Sequence, residues 1–234
     1  GLVKGASKGE GLGNKFLANI RECDAIIHVL RCFDDSGIVH VDGSVDPVRD
    51  KEIIDMELQL KDLETLENRA KRVEKAARVG GDKAAKIEMD VIDTYRKVLL
   101  EGKSARTVTF DTEDEMAAAK SLFLLTAKPV LYVCNVDDKS ASTGNEHTAR
   151  VAEAIKDEDA EMLIISAQTE ADIAELETYE EKQMFLEDMG LQESGCNRLI
   201  KAIYSLLTLQ TFITAGEMEV KAWTFRKGWK APQC

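Results

Sequence analysis

Three short runs of the chain are almost continuously apolar and rich in branched side chains: Ala25 to Leu30 (AIIHVL), Val130 to Cys134 (VLYVC) and Met162 to Ser166 (MLIIS). Runs of that length and makeup predict strands covered on both faces. Between them the apolar positions recur at helical spacing, so the order is βα with a mainly parallel sheet. Polar residues follow the second and third strands at once, NVDD after Cys134 and SAQTE from Ser166. Open α/β sheets gather ligands at the carboxyl ends of their strands, which makes these two loops the first place to look for a binding site.

Between the first and second strands lies a charged helical stretch that a plain α/β domain does not need. It starts at Asp46, placed as an N-cap, with Pro47 at the first helical position. Ile53, Met56, Leu60, Leu63, Leu66, Ala70, Val73 and Ala77 then recur at three- and four-residue steps and form one apolar stripe. The GGD at residues 80–82 breaks the helix, and Ile87, Val91, Thr94 and Val98 restart the same spacing. Two stripes joined by a break predict an antiparallel coiled-coil hairpin in which each covers the other. Glu52, Glu57 and Asp62 read as the solvated face of that helix, with no claim on acid-base chemistry.

Charge changes the picture of the hairpin. The 234 residues carry a net charge of -12, which argues against a protein that coats duplex nucleic acid or an anionic membrane. Residues 68–86 run the other way: Arg69, Lys71, Arg72, Lys75, Arg78, Lys83 and Lys86 face only Glu74 and Asp82, a local charge of +5. A solvated helix face and a contact surface for phosphate backbone fit this tip equally well. In VKAWTFRKGWK, near the other end, Trp223, Phe225 and Trp229 alternate with polar residues, which reads first as a half-buried strand and second as a base-stacking platform. The five cysteines form no C-x-x-C pair, and free thiols in the cytoplasm are expected. The longest apolar runs are far short of the roughly 20 residues of a membrane helix. His28 reads as a core histidine, and His40 and His147 have no metal-ligand spacing around them.

The first twenty residues, GLVKGASKGEGLGNKFLANI, raise the question of phosphate binding. Gly9, Gly11 and Gly13 make half of a dinucleotide fingerprint, without a preceding strand or a third glycine at the required spacing. No G-x-x-x-x-G-K-[ST] string occurs anywhere in the chain. The chain opens on Gly1 rather than Met and closes on KGWKAPQC, so it is expected to be a piece of a longer protein.

GLVKGASKGEGLGNKFLANIRECDAIIHVLRCF resembles the segment that begins at the last glycine of the D-x-x-G switch motif in Obg-related P-loop NTPases of the TRAFAC class. HVLRCF and IVHVDGSVDP are similar to the Obg-like ATPase, or YchF, branch, and the resemblance continues through VLYVCNVDD, EADIAEL and NRLIKAIYSLLTLQTFITAGEMEVKAWTF. The implied fold is α/β: a partial P-loop NTPase, doubly wound with a mainly parallel sheet, carrying an antiparallel coiled-coil helical insertion and the start of a β-grasp (TGS) domain. Residues 1–45 would be the first segment of the P-loop domain, 46–103 the hairpin, 104–207 the second segment with the base-reading loops, and 208–234 the start of the TGS domain. Gly1 would be the switch glycine that senses the terminal phosphate, and Leu2 stands where many related GTPases keep a catalytic glutamine. An apolar residue cannot polarise water, so hydrolysis would rest on magnesium, backbone amides or a residue brought from elsewhere.

Asn135, Val136 and Asp138 fall on the base-reading loop of that resemblance, and Ser166, Ala167 and Gln168 on the second loop, whose amides would meet the base edge. Related GTPases use N-K-x-D and the Obg-like ATPases generally N-x-x-E; NVDD lacks the lysine of the first and ends in the shorter acid of the second. The resemblance implies ATP and Mg2+, hydrolysis to ADP and phosphate, and a ribosome partner. Large-subunit or RNA contact would run through Arg69, Arg72, Lys75, Arg78 and Lys83 of the hairpin tip and through the TGS domain, with neither membrane nor DNA involved. A GTPase read by Asp138 and a non-catalytic ribosome- or RNA-binding module are the alternatives.

Overall fold

The computed structural model describes residues 13–40, 43–79 and 81–233. The switch positions Gly1 and Leu2 lie outside them. The chain forms two compact units interleaved in sequence, one from Gly1–Ile26, Asp46–Lys128 and Arg150–Ala160, the other from Ile27–Val45, Pro129–Ala149 and Glu161–Cys234.

The first unit is built on helices α1 (Gly13–Glu22), α2 (Pro47–Val79), α3 (Lys83–Leu100) and α4 (Glu113–Ser121). Asp46 does cap α2: its Oδ1 accepts from the N–H groups of Val48 at 3.2 Å and Arg49 at 3.3 Å. After Gly81, whose φ of 63° suits glycine, Asp82 accepts from the amides of Ala84 and Ala85 and starts α3. The two helices pack antiparallel, since Gln59 of α2 reaches the carbonyl of Gly102 just past α3 while Arg69 pairs with Glu88 further out. Leu66, Val91, Ile92, Tyr95 and Leu99 form the seam, closed below by Ala105, Leu122 and Leu124.

Two expectations for α2 fail at its first half. Met56 and Leu60, assigned to the apolar stripe, are 44% and 42% exposed. Before about residue 59 the helix has run past the end of α3, and its inward face turns to Leu17 and Leu125, which pack with Leu58 and Ile54. Glu57 and Asp62, assigned to the solvated face, are buried, while Glu52 is exposed as expected. The Asp62 carboxylate accepts from the amides of Leu125 (2.8 Å) and Thr126 (2.7 Å) and from the Thr126 hydroxyl (2.7 Å). A buried charge is tolerated where donors replace its water. Lys51 is buried too, between Asp55 and Glu158, and Arg106 lies 3.6 Å from the same glutamate.

The second unit holds a sheet of order β1-β2-β3, with β1 Ile26–Arg31, β2 Val130–Asn135 and β3 Glu161–Ile165. β2 and β3 are parallel, in register from Leu131 opposite Glu161 to Asn135 opposite Ile165. Helix α5 (Glu146–Ile155) begins in this unit and ends in the first; α6 (Ala167–Glu175), α7 (Tyr179–Asp188) and α8 (Gly195–Leu206) belong to the second. Leu199, Ala202, Ile203 and Leu206 of α8 cover Leu131, Val133, Leu163 and Ile165 on one sheet face. β2 is buried through Cys134, as its apolar run predicts, but β1 is not covered on both faces: Leu30 is buried whereas Ile27 and Val29 are 43% and 62% exposed. Composition alone does not separate an edge strand from a central one. His28 is half-buried against Tyr132, with ring centroids 5.5 Å apart.

β4 (Leu209–Ala215) and β5 (Val220–Arg226) form an antiparallel ribbon in which Phe212 faces Trp223. Alternation predicts the strand correctly and its burial wrongly: of β5, Phe225 alone is partly buried. A two-stranded ribbon has a second face only when something packs on it. Of the described cysteines, 23, 32, 134 and 196 are free thiols, and among the described residues no helix is long and apolar enough to cross a membrane.

Candidate nucleotide-base site

At the carboxyl end of β2 the chain leaves the sheet in a defined turn. Val136 is buried and its N–H donates to the Ile165 carbonyl at 2.9 Å, prolonging the pairing with β3 by one residue. Asp137 accepts from the Ser140 amide at 2.9 Å, which closes a single 3-10 turn at Asp138–Ser140. At the end of β3, Ser166 caps α6 by accepting from the Thr169 amide at 3.2 Å.

The two loops are joined by side chains. Asn135 Oδ1 accepts from the Ala167 N–H at 2.9 Å. Asp138 Oδ1 accepts two hydroxyl hydrogens, from Ser166 at 2.6 Å and from Thr169 at 2.9 Å. Ser166 and Thr169 are 2% and 1% exposed, so these bonds are shielded from water while Asp138 itself is partly open. An ionised carboxylate offers about four lone-pair positions. Two are taken on one oxygen, which leaves Oδ2 to receive a donor from solvent or ligand. Of the first-turn amides of α6, those of Ala167 and Thr169 are engaged. The Gln168 side chain is turned along the helix to Asp172 at 2.9 Å.

The structure thus brings Asn135, Asp138, Ser166, Ala167 and Gln168 together, with Val136 packed beneath them. Sequence reasoning missed Thr169, although S-x-x-T after a strand is the spacing that returns a second hydroxyl to the capping position. It also missed Glu170, whose carboxylate accepts from the amides of Gly195 (2.5 Å) and Cys196 (2.9 Å) at the start of α8. Gly195 is needed there, since a Cβ would lie 2.8 Å from Ile165. The basic hairpin residues are mixed in state: Arg69 pairs with Glu88 and Arg78 with Glu74, while Arg72, Lys75 and Lys83 are exposed. Among the described residues no group of three or more His, Cys, Asp or Glu gathers that would hold a metal ion.

The parallel pairing of β2 and β3, the polar joint at their carboxyl ends and the long helices inserted in sequence between β1 and β2 define an α/β fold with its candidate site at the strand ends. No family model matches the chain. Over its whole length it is 53% identical to the ribosome-binding ATPase YchF of Bacillus subtilis and 49% identical to that of Haemophilus influenzae, covering 64% and 63% of those proteins. The structure of the Schizosaccharomyces pombe YchF GTPase matches it with a TM-score of 0.84 and 35% identity, over 99% of this chain and 62% of that one. Along its whole length the chain is thus similar to YchF proteins. It spans just under two thirds of the length of these relatives.

Proposed function

We propose that the full-length protein is a P-loop ATPase that hydrolyses ATP to ADP and phosphate and works as a switch on the ribosome in the cytoplasm. The observation that carries this is the joint between Asn135–Asp138 and Ser166–Thr169, in a chain half-identical to proteins named ribosome-binding ATPases. On this reading Asp138 Oδ2 takes the amino hydrogen of the base and the Gln168 amide meets a ring acceptor. Guanine presents two adjacent donors, N1–H and the 2-amino group, that need two open carboxylate oxygens. Adenine presents one amino group, which suits the single oxygen that Ser166 and Thr169 leave open. Asn135 and Val136 support the loop without touching the base. Gly1 and Leu2 are the switch positions, magnesium accompanies the phosphates, and the apolar Leu2 makes hydrolysis slow until a partner completes the site. Residues 208–234 begin a TGS module, and 46–103 are the hairpin between the segments 1–45 and 104–207 of the nucleotide domain.

Competition between ATP and GTP for the full-length protein, with magnesium present, tests the reading. ATP should win by tenfold or more, about 1.4 kcal/mol. A tenfold preference for GTP would assign Asp138 to guanine, and no binding of either would remove the site. Asn135→Ala, which frees the Ala167 amide, should weaken ATP binding roughly three- to tenfold.

A further inference from the structure

A groove of about 310 Å3 lies along the middle of α2 in the first unit, walled by Arg21 of α1, by Lys61, Glu64, Thr65, Asn68, Arg69 and Arg72 of α2, and by the end of α4 at Ser121 and Leu122. In a chain of net charge -12 it gathers four cations against one acid. Lys61 is paired with Glu64 at 2.6 Å, and Arg69 with Glu88 from the neighbouring helix. Two guanidinium groups keep donors in hand. Arg21 gives one amino group to the Thr65 hydroxyl at 2.8 Å, while its Nε is buried with no hydrogen-bond partner. Arg72 is exposed and has no carboxylate within ion-pair distance among the described residues.

We propose that this groove holds a phosphate of an RNA backbone between Arg21 and Arg72. The proposal rests on the ribosome-binding reading and gives it a site. Planar guanidinium forks with unspent N–H groups match phosphate oxygens in pairs, and the Asn68 side-chain amide adds a neutral donor, whereas the Thr65 and Ser121 hydroxyls give their hydrogens to the carbonyls of Lys61 and Ala118. Arg21 is the informative member: it belongs to another helix, so the donor set is assembled by the fold, which a merely solvated helix face does not require. A strand rather than a free anion is indicated by continuation beyond the groove. Lys61, Thr65, Asn68, Arg72 and Lys75 follow one another at three- and four-residue steps, a stripe about 21 Å long at ~1.5 Å per residue. A nucleic-acid strand carries one phosphate per nucleotide, so a stripe of this length meets several.

The test uses the full-length protein with a fluorescent single-stranded RNA and with purified ribosomes. Anisotropy over a salt series gives affinity and the slope of log K against log salt; pelleting gives ribosome association. Arg72→Gln, an exposed change, should weaken RNA binding about three- to tenfold and reduce the slope by about 0.7, one phosphate contact on a single strand. Arg21→Lys keeps the charge but removes the fork, and should weaken binding at unchanged slope. If Arg72→Gln and Lys61→Gln leave affinity and slope unchanged while the wild type still pellets with ribosomes, the groove is overturned and the ribosome reading stands. If the wild type does not pellet, the ribosome reading itself fails. Loss of pelleting by Arg72→Gln with RNA binding intact would mean that a protein surface sits there, and overturns the proposal equally.

Discussion

Replacing Asp62 by alanine removes the acceptor of two buried amides, those of Leu125 and Thr126, at residues 0% and 2% exposed. A buried donor left without a partner costs about 1–3 kcal/mol, so the two together cost about 2–6 kcal/mol. The Thr126 hydroxyl keeps its role as acceptor for the Ala105 amide at 3.2 Å but loses the partner of its own hydrogen. Against this, burial pushes the Asp62 carboxyl up from its ordinary range even though three hydrogen bonds and the charge of Arg21 oppose the shift, so removing the charge returns part of the loss. A net destabilisation of about 3 kcal/mol remains, a large part of the ~5–15 kcal/mol that holds a domain together. Urea unfolding measures it, and hydrogen exchange at the Leu125 and Thr126 amides reports the same loss locally. Asp62→Asn keeps the volume but turns an NH2 toward an N–H, so it should retain about half the effect. The pH dependence has a definite sign. An acid whose folded pKa lies above its unfolded one loses stability as pH rises, so the gap between wild type and Asp62→Asn should be widest below about pH 4 and narrow from there up to the raised pKa. A loss below about 1 kcal/mol for Asp62→Ala, with exchange at residues 125 and 126 unchanged, would refute the reasoning.

Two further outcomes follow from single positions. Gly144 sits at φ 74°, and a Cβ there would lie 2.5 Å from Thr148 Oγ1 and 2.9 Å from Ile164. Gly144→Ala should therefore cost more than about 2 kcal/mol, whereas Gly102→Ala, at φ 76° in open space, should cost only the backbone term of about 1–2 kcal/mol; equal losses by thermal melting would contradict the packing argument. Burial, with the Asp62 charge second, holds the Tyr95 phenol up at about 12. The folded state then keeps a proton that the unfolded chain loses from pH ~10, so stability falls as pH rises between the two values, and Tyr95→Phe should abolish that component. Absorbance titration of the phenolate checks it directly.

What was legible in the sequence was local. Periodicity and caps located the helical hairpin, since Asp46, Pro47 and the GGD break act on neighbours a few residues away. The apolar runs located β1, β2 and β3 for the same reason. The inward face of α2 at Lys51 and Asp62 was not legible, because the partners that make burial tolerable stand far off in the chain, at Thr126 and Glu158. In the candidate site the strand ends drew attention to NVDD and SAQTE, but the sharing of one Asp138 oxygen by two hydroxyls is a matter of side-chain direction that spacing does not encode. The groove with Arg21 was hidden likewise, since α1 meets α2 only in the folded chain.

The Asp62 bonds also have a mechanical meaning. They pin α2 where it crosses the Leu125–Thr126 turn, and from there the helix runs on to Val79, about 25 Å at ~1.5 Å per residue. With the carboxylate as fulcrum, a tilt of about 5° at the pin sweeps the far end of the helix by about 2 Å over that length. The buried acid thus joins the seam with α3 in setting where the basic tip lies, and softening it would loosen the helix at its root without altering any residue at the tip.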